Sequence, residues 1–101
     1  MIAEMRLSQL RDRCDGELFG ADLAFDSVST DTRSISQGDV YVALTGEHFD
    51  GHSFVSNAAK RAKAIVVERK FDESVPQVIV KDSRLALGQI AGFCRDCYEG
   101  P

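Results

Sequence analysis

Three short stretches hold the side chains with the most chemistry to offer. His48 and His52 lie four positions apart, with Glu47 and Asp50 beside them. On a helix that spacing could bring both imidazoles to one metal ion. Gly46, Asp50 and Gly51 argue instead for a shaped loop. No third fixed ligand accompanies the pair, so no metal is expected. Cys94-Arg95-Asp96-Cys97 has CxxC spacing. A redox pair works at a helix N-terminus, where the dipole lowers the thiol pKa. This pair falls at the end of a predicted helix, which reads as a core-facing Cys94 and a semi-exposed Cys97. Thr30-Asp31-Thr32-Arg33 offers two hydroxyls, a carboxylate and a guanidinium. Arg33 could meet Asp31, Asp50 or a phosphate. A turn-stabilising Asp31–Arg33 pair and a ligand contact stay open as alternatives.

Motifs that are missing narrow the chemistry further. The glycines never fall as G-x-G-x-x-G or G-x-x-x-x-G-K-[ST], so nothing in this chain cradles a nucleotide triphosphate. No G-x-S-x-G occurs, so there is no nucleophile elbow. The expectation is a chain with no catalytic residue and no cofactor of its own.

These stretches need elements to hold them. Leu7, Leu10 and Cys14 share helical spacing, with Ser8 as a cap and Gly16 as the stop. Glu17 to Phe19 and Phe25 to Ser29 read as short strands. Val40 to Leu44 is a continuous apolar run, the pattern of a strand covered on both faces. A helix is predicted from Ser53, with Phe54, Ala58, Arg61 and Ala62 at helical spacing. Ala64 to Val67 and Val78 to Val80 are two more covered strands, the second entered through Pro76. Ser83 to Tyr98 carries a wide apolar stripe from Leu85 to Cys97 and starts at a cap, Asp82 or Ser83. Strands alternating with helices predict an α/β fold: a small mixed, partly parallel sheet flanked by helices, with one βαβ unit from Val40 through Val67. Both polar loops then lie beyond strand ends, where α/β sheets bind small ligands.

Composition sets the scale. With 101 residues, 44% of them hydrophobic and 28% charged, the chain is expected to form one domain over 1–101. That cannot hold a complete two-substrate synthetase. The net charge is −4 and the basic residues are scattered, which excludes a phosphate-backbone footprint and a nucleic-acid partner. No apolar run reaches membrane-spanning length, and the N-terminus has no secretory h-region. Three cysteines without such a signal point to reduced thiols in a cytoplasmic protein.

The two loops, in this order and separation, resemble the N-terminal domain of the Mur ligases of peptidoglycan synthesis. The resembling residues are Ser29-Thr30-Asp31-Thr32-Arg33, then Gly38 to Leu44, then Gly46-Glu47-His48-Phe49-Asp50-Gly51-His52-Ser53-Phe54. The family pattern is a D-[ST]-R turn, a G-x-x-[FY]-x-A strand and a G-x-x-x-D-G-H loop. The likeness runs on into Val78-Ile79-Val80-Lys81-Asp82-Ser83-Arg84-Leu85-Ala86-Leu87-Gly88. These runs look most like the member that joins D-alanyl-D-alanine to UDP-N-acetylmuramoyl-tripeptide, with the member that adds the third peptide residue next.

The resemblance implies a division of labour. This domain would anchor the UDP-N-acetylmuramoyl-peptide substrate. A central domain would bind ATP and magnesium and form an acyl phosphate, and a C-terminal domain would help bind the incoming amine. Glu99-Gly100-Pro101 falls about where a linker to the central domain would begin. Carried over by position, the UDP contacts fall on Thr30, Thr32, Gly46, Glu47, His48 and Phe49. Asp31, Arg33, Asp50, Gly51 and His52 become the supporting loop residues. Position 32 has Thr where many family members have Ser, and the hydroxyl is kept. Two competing readings remain: a stand-alone interaction module without nucleotide affinity, and a small metal or redox protein built on His48, His52, Cys94 and Cys97.

Overall fold

The structure, a computed structural model, describes residues 5–31, 35, 38–45 and 51–99, the side chains of 52 and 96–99 excepted. Among the described residues, seven strands and three helices follow one another: β1 (Met5–Arg6), α1 (Leu7–Cys14), β2 (Glu17–Phe19), β3 (Ala24–Phe25), β4 (Ser27–Ser29), β5 (Asp39–Val42), α2 (Val55–Ala59), β6 (Ala64–Val67), β7 (Gln77–Ile79) and α3 (Ser83–Glu99). A 3-10 turn, Gly51–Phe54, leads into α2.

Five strands form the main sheet in the order β2-β7-β6-β5-β4. β4, β5, β6 and β7 run parallel, and β2 closes the far edge antiparallel to β7. β1 and β3 form a separate two-stranded antiparallel pair. The expected mixed, partly parallel α/β sheet is what the chain adopts.

The apolar runs account for this order. Every residue of β5 and β6 is buried, as strands covered on both faces must be. Alternation then divides them. Val40, Val42, Ala64, Val66, Val78 and Val80 pack under α1 and α3, against Leu7, Leu10, Ala86, Ile90 and Phe93. Tyr41, Ala43, Ile65 and Val67 pack under α2, against Val55, Ala58 and Ala62. The buried Gln77 ties the segment before β7 to the sheet: its carboxamide accepts from the Phe71 amide at 2.7 Å and donates to the Phe71 carbonyl at 2.6 Å.

Several local expectations are corrected. Ser8 does not cap α1. The helix begins at Leu7, and Ser8 is an acceptor-seeking amide of the first turn, met by Asp22 Oδ1 at 2.9 Å. Asp22 also takes the Arg6 guanidinium, at 3.4 Å. The stop is Asp15, which takes the left-handed conformation (φ 53°) that a short polar side chain tolerates. Gly16 matters for another reason: a Cβ there would sit 2.7 Å from the Ile79 carbonyl oxygen, so β7 could not approach.

The strand expected over 25–29 breaks at Asp26, whose amide bonds to the Gly38 carbonyl instead. Regular pairing of β5 ends at Val42, although the Ala43 amide still reaches the Val66 carbonyl. Phe54 and Arg61 face outward from the α2 region, with Phe54 40% exposed, because Val55, Ala58 and Ala62 fill the core side. Leu85 is 63% exposed, since the buried stripe of α3 runs through Ser83, Ala86, Ile90 and Phe93. Between the two caps offered for α3, Asp82 does the work: its carboxylate accepts from the amides of Arg84 (3.0 Å) and Leu85 (3.2 Å).

Candidate functional site

Because β4 and β5 are parallel neighbours, the segments that leave them emerge side by side at the carboxyl edge of the sheet. Register pairs Ser29 with Tyr41, so Thr30-Asp31 and Ala43-Leu44-Thr45 continue from adjacent rungs. The two loops singled out in the sequence thus start from neighbouring points. That edge is where open α/β sheets hold ligands.

Each stem is fixed by its own hydrogen bonds. The Ser29 hydroxyl accepts from the Asp31 amide at 3.2 Å and donates to the Asp31 carbonyl at 3.1 Å, which curls the chain just past β4. Thr30 is exposed and Asp31 half-buried. After β5, Thr45 bonds to Ser83 at the start of α3. The Gly51 amide returns to the Leu44 carbonyl at 2.6 Å, and the buried Tyr41 phenol donates to the Gly51 carbonyl at 2.9 Å. A Cβ on Gly51 would lie 2.8 Å from the Leu44 nitrogen, so only glycine brings the chain back this close.

Thr30, Asp31 and Gly51 are therefore brought to one edge. Thr32, Arg33, Gly46, Glu47, His48, Phe49 and Asp50 lie outside the described residues, as does the His52 side chain. The backbone of His52 belongs to the 3-10 turn ahead of α2. Sequence reasoning missed Tyr41, Thr45 and Ser83 as residues that hold this edge, and with them Glu68, whose carboxylate accepts from the Ser83 amide at 2.8 Å. One signal was available: Tyr41 is the single side chain with a polar tip in the run Val40 to Leu44, and a buried phenol needs an acceptor.

The other chemical candidates separate from this edge. Among the described residues no three His, Cys, Asp or Glu side chains gather as a metal site. Cys94 stands half-buried far along α3, and the Cys97 side chain lies outside the described residues. Cys14 is buried at the end of α1, and burial pushes its thiol up to about 11 despite the Arg13 charge beside it. It borders an open cavity of about 220 Å³ with Asp15, Val80, Lys81, Asp82, Leu85 and Gln89. None of the sequence-predicted site residues lines that cavity. Among the described residues, no helix is long and apolar enough to cross a membrane.

Comparison with known proteins agrees with the geometry. Residues 24–94 match the model of the Mur ligase family, catalytic domain. UDP-N-acetylmuramoyl-tripeptide--D-alanyl-D-alanine ligase from Escherichia coli (strain K12) is 51% identical over 95 residues, covering 93% of this chain and 21% of the relative. Among solved structures, the UDP-N-acetylmuramoylalanyl-D-glutamyl-2,6-diaminopimelate--D-alanyl-D-alanyl ligase of Acinetobacter baumannii superposes with a TM-score of 0.82 at 31% identity. That match covers 94% of this chain and 22% of the other. The MurF ligase of Thermotoga maritima, solved in complex with ADP, gives a TM-score of 0.58 at 35% identity over 64% of this chain and 16% of the other. The chain spans about a fifth of the length of the curated relatives it matches. Matched over most of its length by the family model, and 51% identical to one ligase over 93% of its length, the chain belongs to the Mur ligase family.

Proposed function

We propose that this chain is the N-terminal, substrate-anchoring domain of an ATP-dependent ligase that joins D-alanyl-D-alanine to UDP-N-acetylmuramoyl-tripeptide, in a cytoplasmic step of peptidoglycan precursor synthesis. The observation that carries the reading is the juxtaposition of the β4 and β5 loop stems at one carboxyl edge. The identity to the Escherichia coli ligase supports the choice of acceptor and dipeptide.

In this reading the UDP end lies between the two loops. Uracil presents acceptor, donor and acceptor groups along one edge, which main-chain N–H and C=O groups can match. The Gly46-Glu47-His48 backbone supplies such groups, Phe49 supplies an apolar wall, and the Thr30 and Thr32 hydroxyls meet the polar rim. Asp31, Arg33, Asp50, Gly51 and His52 shape the loops. ATP and magnesium belong to a central domain, since no G-x-x-x-x-G-K-[ST] motif occurs here. When bound there, they supply activation of the substrate carboxyl. This chain's residues bind and orient the nucleotide end, and a C-terminal domain receives the incoming dipeptide.

The test is a titration of the chain with UDP and with UDP-N-acetylmuramic acid, followed by amide chemical shifts. Weak binding is expected, because the rest of the substrate rests on other domains. Shifts confined to residues 30–33 and 46–52 support the reading. A flat titration at millimolar ligand overturns it in favour of an interaction module without nucleotide affinity.

A further inference from the structure

Ser83 is the first residue of α3 and is completely buried. A serine at a helix start is expected to cap the helix. Here Asp82 takes that role with the amides of Arg84 and Leu85. The Ser83 hydroxyl bonds instead across to Thr45, in the segment that follows β5. It accepts from the Thr45 amide at 3.3 Å and lies 3.1 Å from Thr45 Oγ1. The Ser83 amide donates to Glu68 Oε2 at 2.8 Å. Glu68 directly follows β6. A chain of hydrogen bonds, Glu68 to Ser83 to Thr45, thus joins the ends of two neighbouring strands through the first residue of a helix.

Thr45 is the residue immediately before Gly46. At the other flank, Gly51 is held by Leu44 and by the Tyr41 phenol. The five-residue stretch 46–50 is therefore bounded by two anchors of different origin. One is set by α3 and β6, the other by β5. A binding loop whose ends are held by the scaffold has less conformational freedom to lose when ligand arrives. A partly buried polar chain serves this well, because every member must keep its geometry to stay satisfied.

We infer that Ser83 and Glu68 are positioning residues for nucleotide binding: acting through Thr45, they fix the N-terminal flank of the loop that follows β5. The inference rests on the UDP-anchoring reading above. It adds residues that lie outside both loops, on α3 and after β6.

The experiment compares the wild-type chain with Ser83→Ala, Thr45→Val, Glu68→Gln and Glu68→Ala. Two quantities are read: UDP affinity from amide shifts, and hydrogen exchange of the Thr45 amide without ligand. Ser83→Ala is expected to weaken UDP binding about three- to tenfold, the size of one net hydrogen bond. It should also speed exchange at Thr45 while amides of β6 and β7 keep wild-type rates. Glu68→Gln keeps an oxygen acceptor for the Ser83 amide and should stay within about twofold of wild type, whereas Glu68→Ala follows Ser83→Ala. The double variant Ser83→Ala/Thr45→Val should bind no more weakly than Ser83→Ala, because both changes remove one shared contact. Wild-type affinity in Ser83→Ala overturns the inference. So does a loss matched by faster exchange throughout the sheet, which is the mark of a merely structural residue. No UDP binding by the wild-type chain overturns the anchoring reading itself. That failure is told apart because Thr45 exchange in Ser83→Ala is measured without ligand.

Discussion

Replacing Gly51 by alanine tests how tightly the returning loop is pressed against β5. An alanine Cβ would stand 2.8 Å from the Leu44 nitrogen, 3.0 Å from its carbonyl oxygen and 3.1 Å from the Ala43 Cα. All three are backbone atoms, so none can swing aside as a side chain would. The 3-10 turn must back away from the sheet. That separates the Gly51 amide from Leu44 and the Gly51 carbonyl from the Tyr41 phenol. Each bond contributes roughly 1 kcal/mol net. The expected loss is about 2 kcal/mol, a large part of the roughly 5–15 kcal/mol that holds a domain of this size. In a thermal melt this is a drop of about 8–16 °C. Two companions bracket it. Tyr41→Phe removes one bond without crowding and should cost about 1 kcal/mol. Gly88→Ala lies on an exposed turn of α3, where a Cβ meets nothing within 4 Å. It should stabilise by about 0.5–1 kcal/mol through helix propensity. The order Gly88→Ala above wild type, above Tyr41→Phe, above Gly51→Ala follows from the geometry. A Gly51→Ala chain that unfolds within about 0.5 kcal/mol of wild type refutes the claim that the loop is pinned there.

Three further outcomes follow from other parts of the molecule. Cys14, with its thiol pushed up to about 11, should react with a disulfide reagent at pH 8 roughly a hundredfold more slowly than an ordinary thiol of pKa near 9; comparable rates in an absorbance assay would contradict its burial. Asp22 is held below the usual carboxylate range, chiefly by the Ser8 amide and then by Arg6. Its contribution is therefore present above the ordinary carboxylate pKa and lost as pH falls through the lowered one; a Ser8 amide shift that titrates at or above an ordinary carboxylate midpoint would refute the bond. Ile90→Ala, at a completely buried position of the α3 stripe, should cost about 2–5 kcal/mol by denaturant unfolding, whereas Leu85→Ala, largely exposed, should cost little.

The layer order was legible because it rests on patterns that extend over several residues. Val40 to Leu44 and Ala64 to Val67 have no polar alternation, so strands covered on both faces were the natural reading, and Val40 to Ala43 and Ala64 to Val67 are all buried. The local ends were harder. Ser8 and Gly16 have the right types to start and stop α1, yet a distant residue, Asp22, meets the Ser8 amide, and Asp15 takes the left-handed turn. Leu85 fits an apolar stripe by type, but the face of a helix is set by what it packs on, and Ala86, Ile90 and Phe93 won that face. That one polar stretch follows β4 and another follows β5 was readable, because each comes straight after an apolar run. What fixes their stems was not, since the Thr45–Ser83 contact spans 38 positions and leaves no trace in spacing.

The same contrast bears on how so small a chain could present the proposed binding edge. A chain of this length has one modest core, and both faces of its sheet are occupied by helices. A ligand anchored as proposed would meet the strand ends, where the sheet's own hydrogen bonds run out and the next residues need other partners. β5 meets that need in two ways. Ala43 continues the ladder to Val66, while Leu44 and Thr45 hand their backbone to Gly51 and Ser83. The polar side chains buried nearby, Tyr41 and Ser83, are placed where strand geometry ends and loop geometry begins. Replacing either by an apolar residue of similar size should leave the layers intact and loosen the edge. Fold and site in this domain thus rest on different residues, and mutations should be able to separate them.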